Sequence, residues 1–584
     1  LGLAHYLREL GKEALVVVPD AFPDFLAWMP GAQEILRVDK HPEKAELMVA
    51  MADVIFARDY NALSRVDDMG VMDTSVPFGD EKYPLNQRYV TPNMQRLADA
   101  GVMMTSAYAC PVSTPTRTSL MSGMNAAHTH ITNWTSTLKD LYSDASGGGI
   151  SNINNGVAES PTDRLSHPVW NINGMSPDPG IDSTFHATPM VQLLKDAGYY
   201  TIHVGKAHWA ATGTPGASPL NMGFCVNIAG SVNGMPRSYQ SEDHYGNTPE
   251  LWNYLAVQNV AQWYGTGTHL TEALTVDALK TLDYPIENGI PFYLYMAHYS
   301  NHTPIQADER FYQKYIDAGL DVGQARYASM VEGMDKSLGD ILDYLEEKDI
   351  ADNTIIIFMT DNGGNSENKQ KGGVRFTHNA PLRNGKGSVY EGGVRVPAMF
   401  CWPGKITPGT RIANNIIAED LFPTILEMAG VKDYDVVQEV DGQSLVKLLT
   451  DGSAEVAKAM KDGRINSLAD ANRFVLGEEI SGFDPDRDIV IHYPHKWKPY
   501  DLVDIDYLTS IRKGEWKLVY RLATQEIELY NTFDDISETK NLAETYPEKT
   551  AELAKALGDR LRQWNSPMPF IKETGEKVPM PDEI

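Results

Sequence analysis

The chain contains 584 residues, which exceeds the size of a single compact core, so its length predicts about two or three domains. The formal net charge of −28 at pH 7 repels a phosphate backbone and predicts no nucleic-acid partner; an anionic substrate would require a local island of basic residues. No stretch approaches the roughly 20 consecutive apolar residues of a membrane helix, so we predict no membrane span.

Residues 1–65 show an alternating pattern that predicts a separate α/β segment. Helices are predicted up to residue 10, near 22–28 and at 43–51, and strands at 14–18 and 54–56. The runs GLAHYLRELGKEALVVVPDAFPDFLAWMPGAQEIL and ADVIFARDYNALSR resemble part of a DHH-family phosphoesterase. That family binds metal through aspartate motifs, and Asp59 is the match here, whereas the opening aspartate-rich motif and the Asp-His-His motif are absent. The segment is therefore not expected to form a complete phosphoesterase site.

Residues 66–465 form the largest predicted domain, in which helices alternate with short apolar strands. The helices are predicted at 91–100, 188–197, 326–347 and 418–429, and the strands at 200–204, 292–297 and 354–359. This alternation predicts a mainly parallel central sheet with helices on both faces. Residues 61–66, which precede an aspartate pair, have a composition poorly suited to a strand core, so we expect the first strand of the sheet to be weak.

Residues 466–584 are predicted to form a smaller C-terminal α+β subdomain. Strands are expected at 489–492, 509–512, 516–520 and 526–530, followed by a helix at 547–564. Because closely spaced strands favour hairpins, we predict an antiparallel sheet with one helix.

Polar side chains near the ends of two strands predict a metal site. Asp67 and Asp68 form one pair, and Asp361 and Asn362 directly follow the run IIIFMT. Open parallel sheets bind ligands at the carboxyl ends of their strands, so we expect the second pair at such an edge. Oxygen donors without His or Cys suit calcium, and magnesium less readily, far better than zinc. We therefore predict one bound calcium ion.

The segment STPTRTSLMSG, which starts at Ser113, by itself predicts only the start of a helix, because Pro is common in the first helical turn. A helix that begins there would direct free backbone amides towards an anion. The segment also resembles the maturation sequence of sulfatases, in which a Cys or Ser is oxidised to the aldehyde formylglycine. With several further motifs in the same order, residues 66–565 resemble a type I, arylsulfatase A-like sulfatase of the alkaline phosphatase-like superfamily.

The resemblance implies an α/β alkaline-phosphatase-like core and a set of site residues. The implied catalytic residues are Ser113, Arg117, Lys206, His208, His302 and Lys386, and the implied metal ligands are Asp67, Asp68, Asp361 and Asn362. Lys206 and His208 alternate in an extended segment and would therefore face the same side. Arg117 would hold the modified residue, and His302 would protonate the departing alcohol.

The resemblance also implies how the oxidised Ser113 reacts. An unmodified serine that attacked sulfur would leave a sulfate ester with no easy exit, whereas a hydrated aldehyde has one hydroxyl to attack sulfur and another to expel sulfate as the carbonyl re-forms. The expected activity is that of a sulfuric ester hydrolase. Its expected substrate is a sulfated carbohydrate, because the segment IHYPHKW, with His492 and His495, is similar to segments that lean over the pocket in carbohydrate sulfatases.

A serine at the modified position resembles bacterial sulfatases that are matured by a radical, oxygen-independent enzyme. This implies a serine-type sulfatase-maturing enzyme as a partner and a periplasmic, cell-surface or secreted location. Two other functions stay open at this point. A phosphate mono- or diesterase of the same superfamily would use Ser113 directly, although such enzymes usually gather two metals with several His ligands. A non-catalytic protein that binds sulfated glycans would keep Ser113 unmodified.

Overall fold

The computed structural model of the chain describes residues 16–18, 35–37, 60–135, 163–248, 255–478, 480, 482–496 and 504–584. The chain divides into two compact units, Leu1–Arg58 and Asp59–Ile584. In the first unit, strand β1 (Val16–Val18) pairs in parallel with β2 (Ile35–Arg37), and β1 lies inside the strand predicted at 14–18. The other elements predicted in residues 1–56 lie outside the described residues, and the resemblance to a DHH-family fragment stays a prediction.

The larger unit is built around one extended sheet. Its strands within the described residues are β3 (Tyr60–Val66), β4 (Val102–Met104), β5 (Ala107–Tyr108), β6 (Leu165–Ser166), β7 (Met175–Ser176), β8 (Phe185–His186), β9 (Tyr200–Gly205), β10 (Val226–Ile228), β11 (Phe292–Ala297), β12 (Thr354–Thr360), β13 (Ala398–Cys401), β14 (Thr410–Ile412), β15 (Ile416–Ile417), β16 (Ile489–Tyr493), β17 (Leu508–Lys513), β18 (Trp516–Arg521), β19 (Glu526–Asn531) and β20 (Phe570–Ile571).

Eight of these strands form the central sheet in the order β10-β9-β11-β3-β12-β13-β4-β14. Neighbouring strands are parallel from β10 to β12 and again between β4 and β14, whereas β13 runs antiparallel to both of its neighbours. The predicted mainly parallel central sheet is confirmed.

Helices cover both faces of this sheet, as predicted. The α-helices of the described residues are α1 (Pro92–Ala100), α2 (Ser113–Ser122), α3 (Ala126–Thr129), α4 (Met190–Asp196), α5 (Leu270–Glu287), α6 (Glu309–Asp317), α7 (Val322–Glu347), α8 (Glu391–Val394), α9 (Leu421–Met428), α10 (Val446–Lys461), α11 (Leu468–Arg473) and α12 (Pro547–Gln563). Phe292, Leu294 and Met296 of β11 join one buried cluster, and the intervening residues of the strand join another. Because successive side chains of a strand point to opposite faces, both faces of the sheet are buried.

Strand β3 forms along its whole length, so the expectation of a weak first strand is wrong. Its residues from Tyr60 to Val66 pair with β12, and residues 61–65 also pair with β11. With a hydrogen-bonded neighbour on each side, the pairing in the sheet outweighs the low strand propensity of Asn61 and Ser64. Because β3 begins at Tyr60, it starts before the predicted boundary at 65/66. The division into residues 1–65, 66–465 and 466–584 stays a prediction.

The C-terminal residues contain the predicted antiparallel sheet, in the order β16-β17-β18-β19, followed by α12. Ile511 and Leu518 of the sheet and Leu557 and Leu561 of the helix share one buried cluster. Burial of one such side chain stabilises the folded state by about 1.5–3 kcal/mol, so this cluster holds the helix on the sheet. Across the parts of the chain described above, no helix is both long enough and apolar enough to cross a membrane.

Candidate active site

Four neighbouring parallel strands end at the same edge of the central sheet, and predicted site residues follow each of them. The strands lie in the order β9-β11-β3-β12. The residues that follow are Lys206 and His208 after β9, His302 after β11, Asp67 and Asp68 after β3, and Asp361 and Asn362 after β12. The sheet order therefore gathers at one edge residues that are far apart in the sequence.

Ser113 is the first residue of α2 and lies directly over this edge. Its side chain is buried, and Val112 precedes it in extended conformation as the helix N-cap. The Lys206 ammonium donates a hydrogen bond to Ser113 Oγ at 2.9 Å. Ser113 Oγ also lies 3.3 Å from the acceptors Asp67 Oδ1 and Asn362 Oδ1. The hydroxyl is thus in contact with residues from three of the strand ends.

Arg117 lies one helical turn after Ser113 and is fully buried. Its Nε donates to Asp361 Oδ2 at 2.9 Å, its Nη2 lies 2.8 Å from the same oxygen, and its Nη1 donates to the Lys206 carbonyl oxygen at 2.8 Å. Burial alone would lower the pKa of the guanidinium, but the Asp361 carboxylate outweighs it and raises the pKa. Arg117 is therefore a permanent cation that ties α2 to β12 and β9.

The carboxylates at this edge are buried close together. Burial raises the pKa of Asp67 well above its ordinary value, and the negative charge of Asp361 raises it further. For Asp68, burial also opposes ionisation, but Lys386 and His302 outweigh it and lower the pKa to about 2. Like charges held this close in a buried site favour the presence of cations.

Two lysines supply part of that positive charge. Lys206 Nζ donates to Asp67 Oδ2 at 2.5 Å and lies 3.7 Å from Asp361 Oδ2, and Lys386 Nζ donates to Asp68 Oδ1. Burial lowers the pKa of Lys206, although Asp67 and Asp361 act in the opposite direction. Burial would also lower the pKa of Lys386, but Asp68 and the other carboxylates raise it. Together with Arg117, these residues form the basic island that an acidic protein needs for an anionic substrate.

The donor atoms at this edge fit a hard metal ion. Asn362 Nδ2 donates to Asp68 Oδ1 at 2.9 Å, which leaves Asn362 Oδ1 facing Ser113 and available as a ligand. Ligand atoms of Asp67, Asp68 and His302 lie within 4.8 Å of one another. The sequence predicted only oxygen donors, so the structure adds His302 as a nitrogen donor in reach. Three carboxylates and an amide oxygen remain the larger part of the set, which suits calcium or magnesium.

Two histidines flank Ser113 and its neighbours. Nε2 of His208 lies 2.9 Å from the Thr135 carbonyl oxygen, which only accepts, so Nε2 carries the proton and Nδ1 is an acceptor. Burial, with the Lys206 charge, lowers the pKa of His208 well below its ordinary value. His302 Nε2 lies 3.7 Å from Asp68 Oδ2, and burial, followed by Lys386, lowers its pKa to about 3. Both imidazoles are therefore neutral near pH 7.

The two histidines predicted to bind substrate lie in the C-terminal sheet region and are buried. His492 Nε2 bonds with the carbonyl oxygen of Pro567 at 2.7 Å, and His495 Nε2 bonds with Thr132 Oγ1 at 2.7 Å. These contacts connect His495 to the loop that leads to Thr135 and so to His208. Direct contact of either imidazole with substrate stays a prediction.

Sequence reasoning missed two threonines that hold the site together. Thr116 Oγ1 donates to the Asp361 carbonyl oxygen at 2.6 Å and accepts from Cys110 N at 2.9 Å, which fastens the first turn of α2 to the end of β12. Thr135 sets the tautomer of His208. Thr116 lies inside the segment that starts at Ser113 and could have been singled out there. Thr135 acts through its backbone, which leaves no mark on the side-chain pattern.

Comparison with known proteins matches the sulfatase family model to residues 75–431, more than half of the chain. A protein of Formosa agariphila named "Sulfatase" is 30% identical over 89% of this chain and 91% of its own length. The N-acetylgalactosamine-6-sulfatase of Sus scrofa is 29% identical over 66% of this chain and 65% of its own length. The crystal structure of Ps i-CgsB in complex with k-i-k-neocarrahexaose has a TM-score of 0.59 and 23% identity, covers 90% of this chain and 96% of that one, and supports the fold. The chain therefore belongs to the sulfatase family and is a sulfuric ester hydrolase.

Proposed function

We propose that the protein hydrolyses sulfate esters of a carbohydrate by means of a formylglycine made from Ser113 and a bound calcium ion. The observation that carries this proposal is the position of Ser113 Oγ, which contacts the Lys206 ammonium at 2.9 Å and lies 3.3 Å from Asp67 Oδ1 and Asn362 Oδ1. A nucleophile at this point meets a cation, carboxylate oxygens and the amino end of α2 together.

The formylglycine would supply two hydroxyls when hydrated, one to attack sulfur and one to expel sulfate. Lys206, Lys386 and the free amides at the start of α2 would bind the sulfate oxygens, whose negative charge grows in the transition state. Arg117 would keep Asp361 ionised and oriented through its contacts of 2.9 and 2.8 Å. These roles divide the work between charge stabilisation and positioning.

Two proton transfers are needed, and the two histidines suit different ones. His208 has an acceptor at Nδ1, because its Nε2–H is committed to the Thr135 carbonyl oxygen. It would therefore remove the proton from the hydroxyl that expels sulfate. His302 is the more exposed imidazole, with 17% of its side chain accessible, and would protonate the departing alcohol. A bound sulfate ester brings negative charge beside His302, which favours the protonated ring that this step requires.

The calcium ion would be held by Asp67, Asp68, Asp361 and Asn362. Its chemistry when bound is to orient a sulfate oxygen and to lower the pKa of the attacking hydroxyl. The support from this chain is the burial of three carboxylates next to one another, with oxygen donors predominating. Magnesium is the less favoured ion, since it demands a stricter octahedral set with several waters.

A sulfated carbohydrate is the substrate class that we favour. One relative is named for N-acetylgalactosamine-6-sulfate, and one structural neighbour was crystallised with a neocarrahexaose. A serine-type maturing enzyme would be the partner that oxidises Ser113, and the periplasm, cell surface or medium would be the location. His492 and His495 would contribute to substrate binding by supporting the loop at Thr132.

The decisive experiment is the mass of the tryptic peptide 97–117 from protein made in cells with a serine-type maturase. Loss of two hydrogens at residue 113 is expected, together with release of sulfate from sulfated oligosaccharides. Ser113→Ala is the matched control, because it preserves the helix start but offers no group to oxidise. If the wild-type peptide kept its serine while a second sulfatase in the same cells was converted, the formylglycine would be ruled out, and binding of sulfated glycans without turnover would become the better description.

A further inference from the structure

A buried polar cluster lies beneath the loop that carries Asp67 and Asp68, and none of its members belongs to the predicted site. Asp73 is fully buried at its centre. Its Oδ2 accepts a hydrogen bond from Gly70 N at 3.0 Å and from the Tyr327 hydroxyl at 2.9 Å, and its Oδ1 accepts from the Tyr89 hydroxyl at 3.1 Å. One carboxylate thus ties together the loop after β3, helix α7 and the residues before α1.

Lys371 supplies the positive charge of this cluster. It is 2% exposed, its ammonium lies 3.8 Å from Asp73 Oδ1, and it sits 3.7 Å above the centre of the Tyr327 ring. Burial of an ammonium costs several kcal/mol unless a carboxylate and polarisable groups compensate for lost water. Here the carboxylate of Asp73 and the ring of Tyr327 provide that compensation. A pair of this kind restricts the conformation of the segments that it joins.

The cluster reaches the predicted metal ligands through the backbone. The Tyr327 hydroxyl lies 3.2 Å from the Asp68 carbonyl oxygen, so its single proton is shared between Asp68 and Asp73. Asp68 has a φ of +55°, a left-handed conformation that costs a non-glycine residue about 1–3 kcal/mol and must be held by its surroundings. In that conformation the Asp68 carboxylate accepts from Asn362 Nδ2 at 2.9 Å.

The second metal-bearing loop also rests on Asp73. A Cβ atom added to Gly364, two residues after Asn362, would lie 2.6 Å from Asp73 Oδ2, so this glycine allows the loop after β12 to approach the carboxylate. Asp73 therefore touches the loops that carry both pairs of predicted ligands. Groups that orient metal ligands in this way commonly change metal affinity by about 10–100-fold when they are replaced.

We propose that Asp73 and Tyr327, with Lys371 as the counter-charge, are positioning residues that hold Asp68 in its left-handed conformation and so set the affinity of the site for calcium. This inference rests on the proposed function, because it requires that the Asp67, Asp68, Asp361 and Asn362 set binds calcium. It concerns the geometry of the ligands and assigns no chemical step to the cluster.

The test is calcium binding by isothermal titration calorimetry on full-length protein made without a maturase, so that Ser113 is a serine in every sample. Tyr327→Phe removes the hydroxyl but keeps the ring beneath Lys371. Tyr315→Phe is the matched control, because Tyr315 is also buried and its hydroxyl donates to a carboxylate, Glu332 Oε2, at 2.8 Å. We expect Tyr327→Phe to weaken calcium binding by about 10-fold or more and Tyr315→Phe to leave it unchanged.

Thermal unfolding in EDTA separates positioning from a general loss of stability. We expect the two variants to have similar melting temperatures without metal and to differ in how far calcium raises them. A calcium Kd for Tyr327→Phe within about threefold of the wild type would overturn the inference, whatever the change in melting temperature. Absence of calcium binding by the wild type would overturn both this inference and the calcium part of the proposed function.

Discussion

Replacement of Arg117 by methionine is expected to destabilise the protein strongly, although the change keeps most of the side-chain volume. The guanidinium gives Asp361 Oδ2 two contacts, at 2.9 and 2.8 Å, and gives the Lys206 carbonyl oxygen one at 2.8 Å. In the variant, the fully buried Asp361 would retain only the Lys206 ammonium, 3.7 Å from Oδ2, as a cation. Removal of one partner from a buried ion pair costs about 3–5 kcal/mol, and we expect the free energy of unfolding to fall by that amount.

Urea denaturation followed by tryptophan fluorescence measures this loss. Arg464→Met is the control, because Arg464 pairs with Glu455 at 3.1 Å while their side chains are 47% and 40% exposed. An exposed pair contributes about 0–1 kcal/mol, so this variant should resemble the wild type. Arg117→Lys should fall between the two, since an ammonium keeps the charge but lacks the planar fork that reaches both acceptors. Equal stability of Arg117→Met and Arg464→Met would refute the reasoning.

Three further outcomes are expected. EDTA should abolish sulfate release measured by ion chromatography, and calcium should restore it better than magnesium; full activity in EDTA would contradict the metal assignment. Asp504→Asn should lower kcat/KM by roughly 10–100-fold at unchanged calcium affinity, because Asp504 Oδ2 accepts from Arg383 Nε at 2.9 Å and Nη2 at 2.6 Å and so anchors the loop of Lys386. Glu419→Gln should flatten the pH dependence of stability. Burial, with Asp420, raises the pKa of Glu419 from 4.5 to about 8, so its stabilising contribution is complete below pH 4.5 and is lost as the pH rises towards 8, by up to about 1.4 kcal/mol per unit. An identical profile for wild type and variant in urea melts between pH 5 and 9 would argue against this.

The elements of the chain were largely predictable because their residues carry local signals. The strand predicted at 292–297 is β11 without any shift, and the helix predicted to start at Ser113 is α2. The antiparallel C-terminal sheet followed from closely spaced strands. β3 was predicted poorly, since its own residues favour a strand weakly and its stability comes from β11 and β12 on either side.

The sequence alone determined which residue types follow each strand and therefore that carboxylates, lysines and histidines would be available at strand ends. Only the tertiary structure decided that β9, β11, β3 and β12 are neighbours, which brings Lys206, Ser113 and Asp67 within hydrogen-bonding distance. It also decided the tautomer of His208 and the support of Asp68 by Tyr327. The reason is physical: strand order, burial and the partners of buried polar groups depend on contacts between distant segments, whereas helix starts and apolar runs depend on neighbours along the chain.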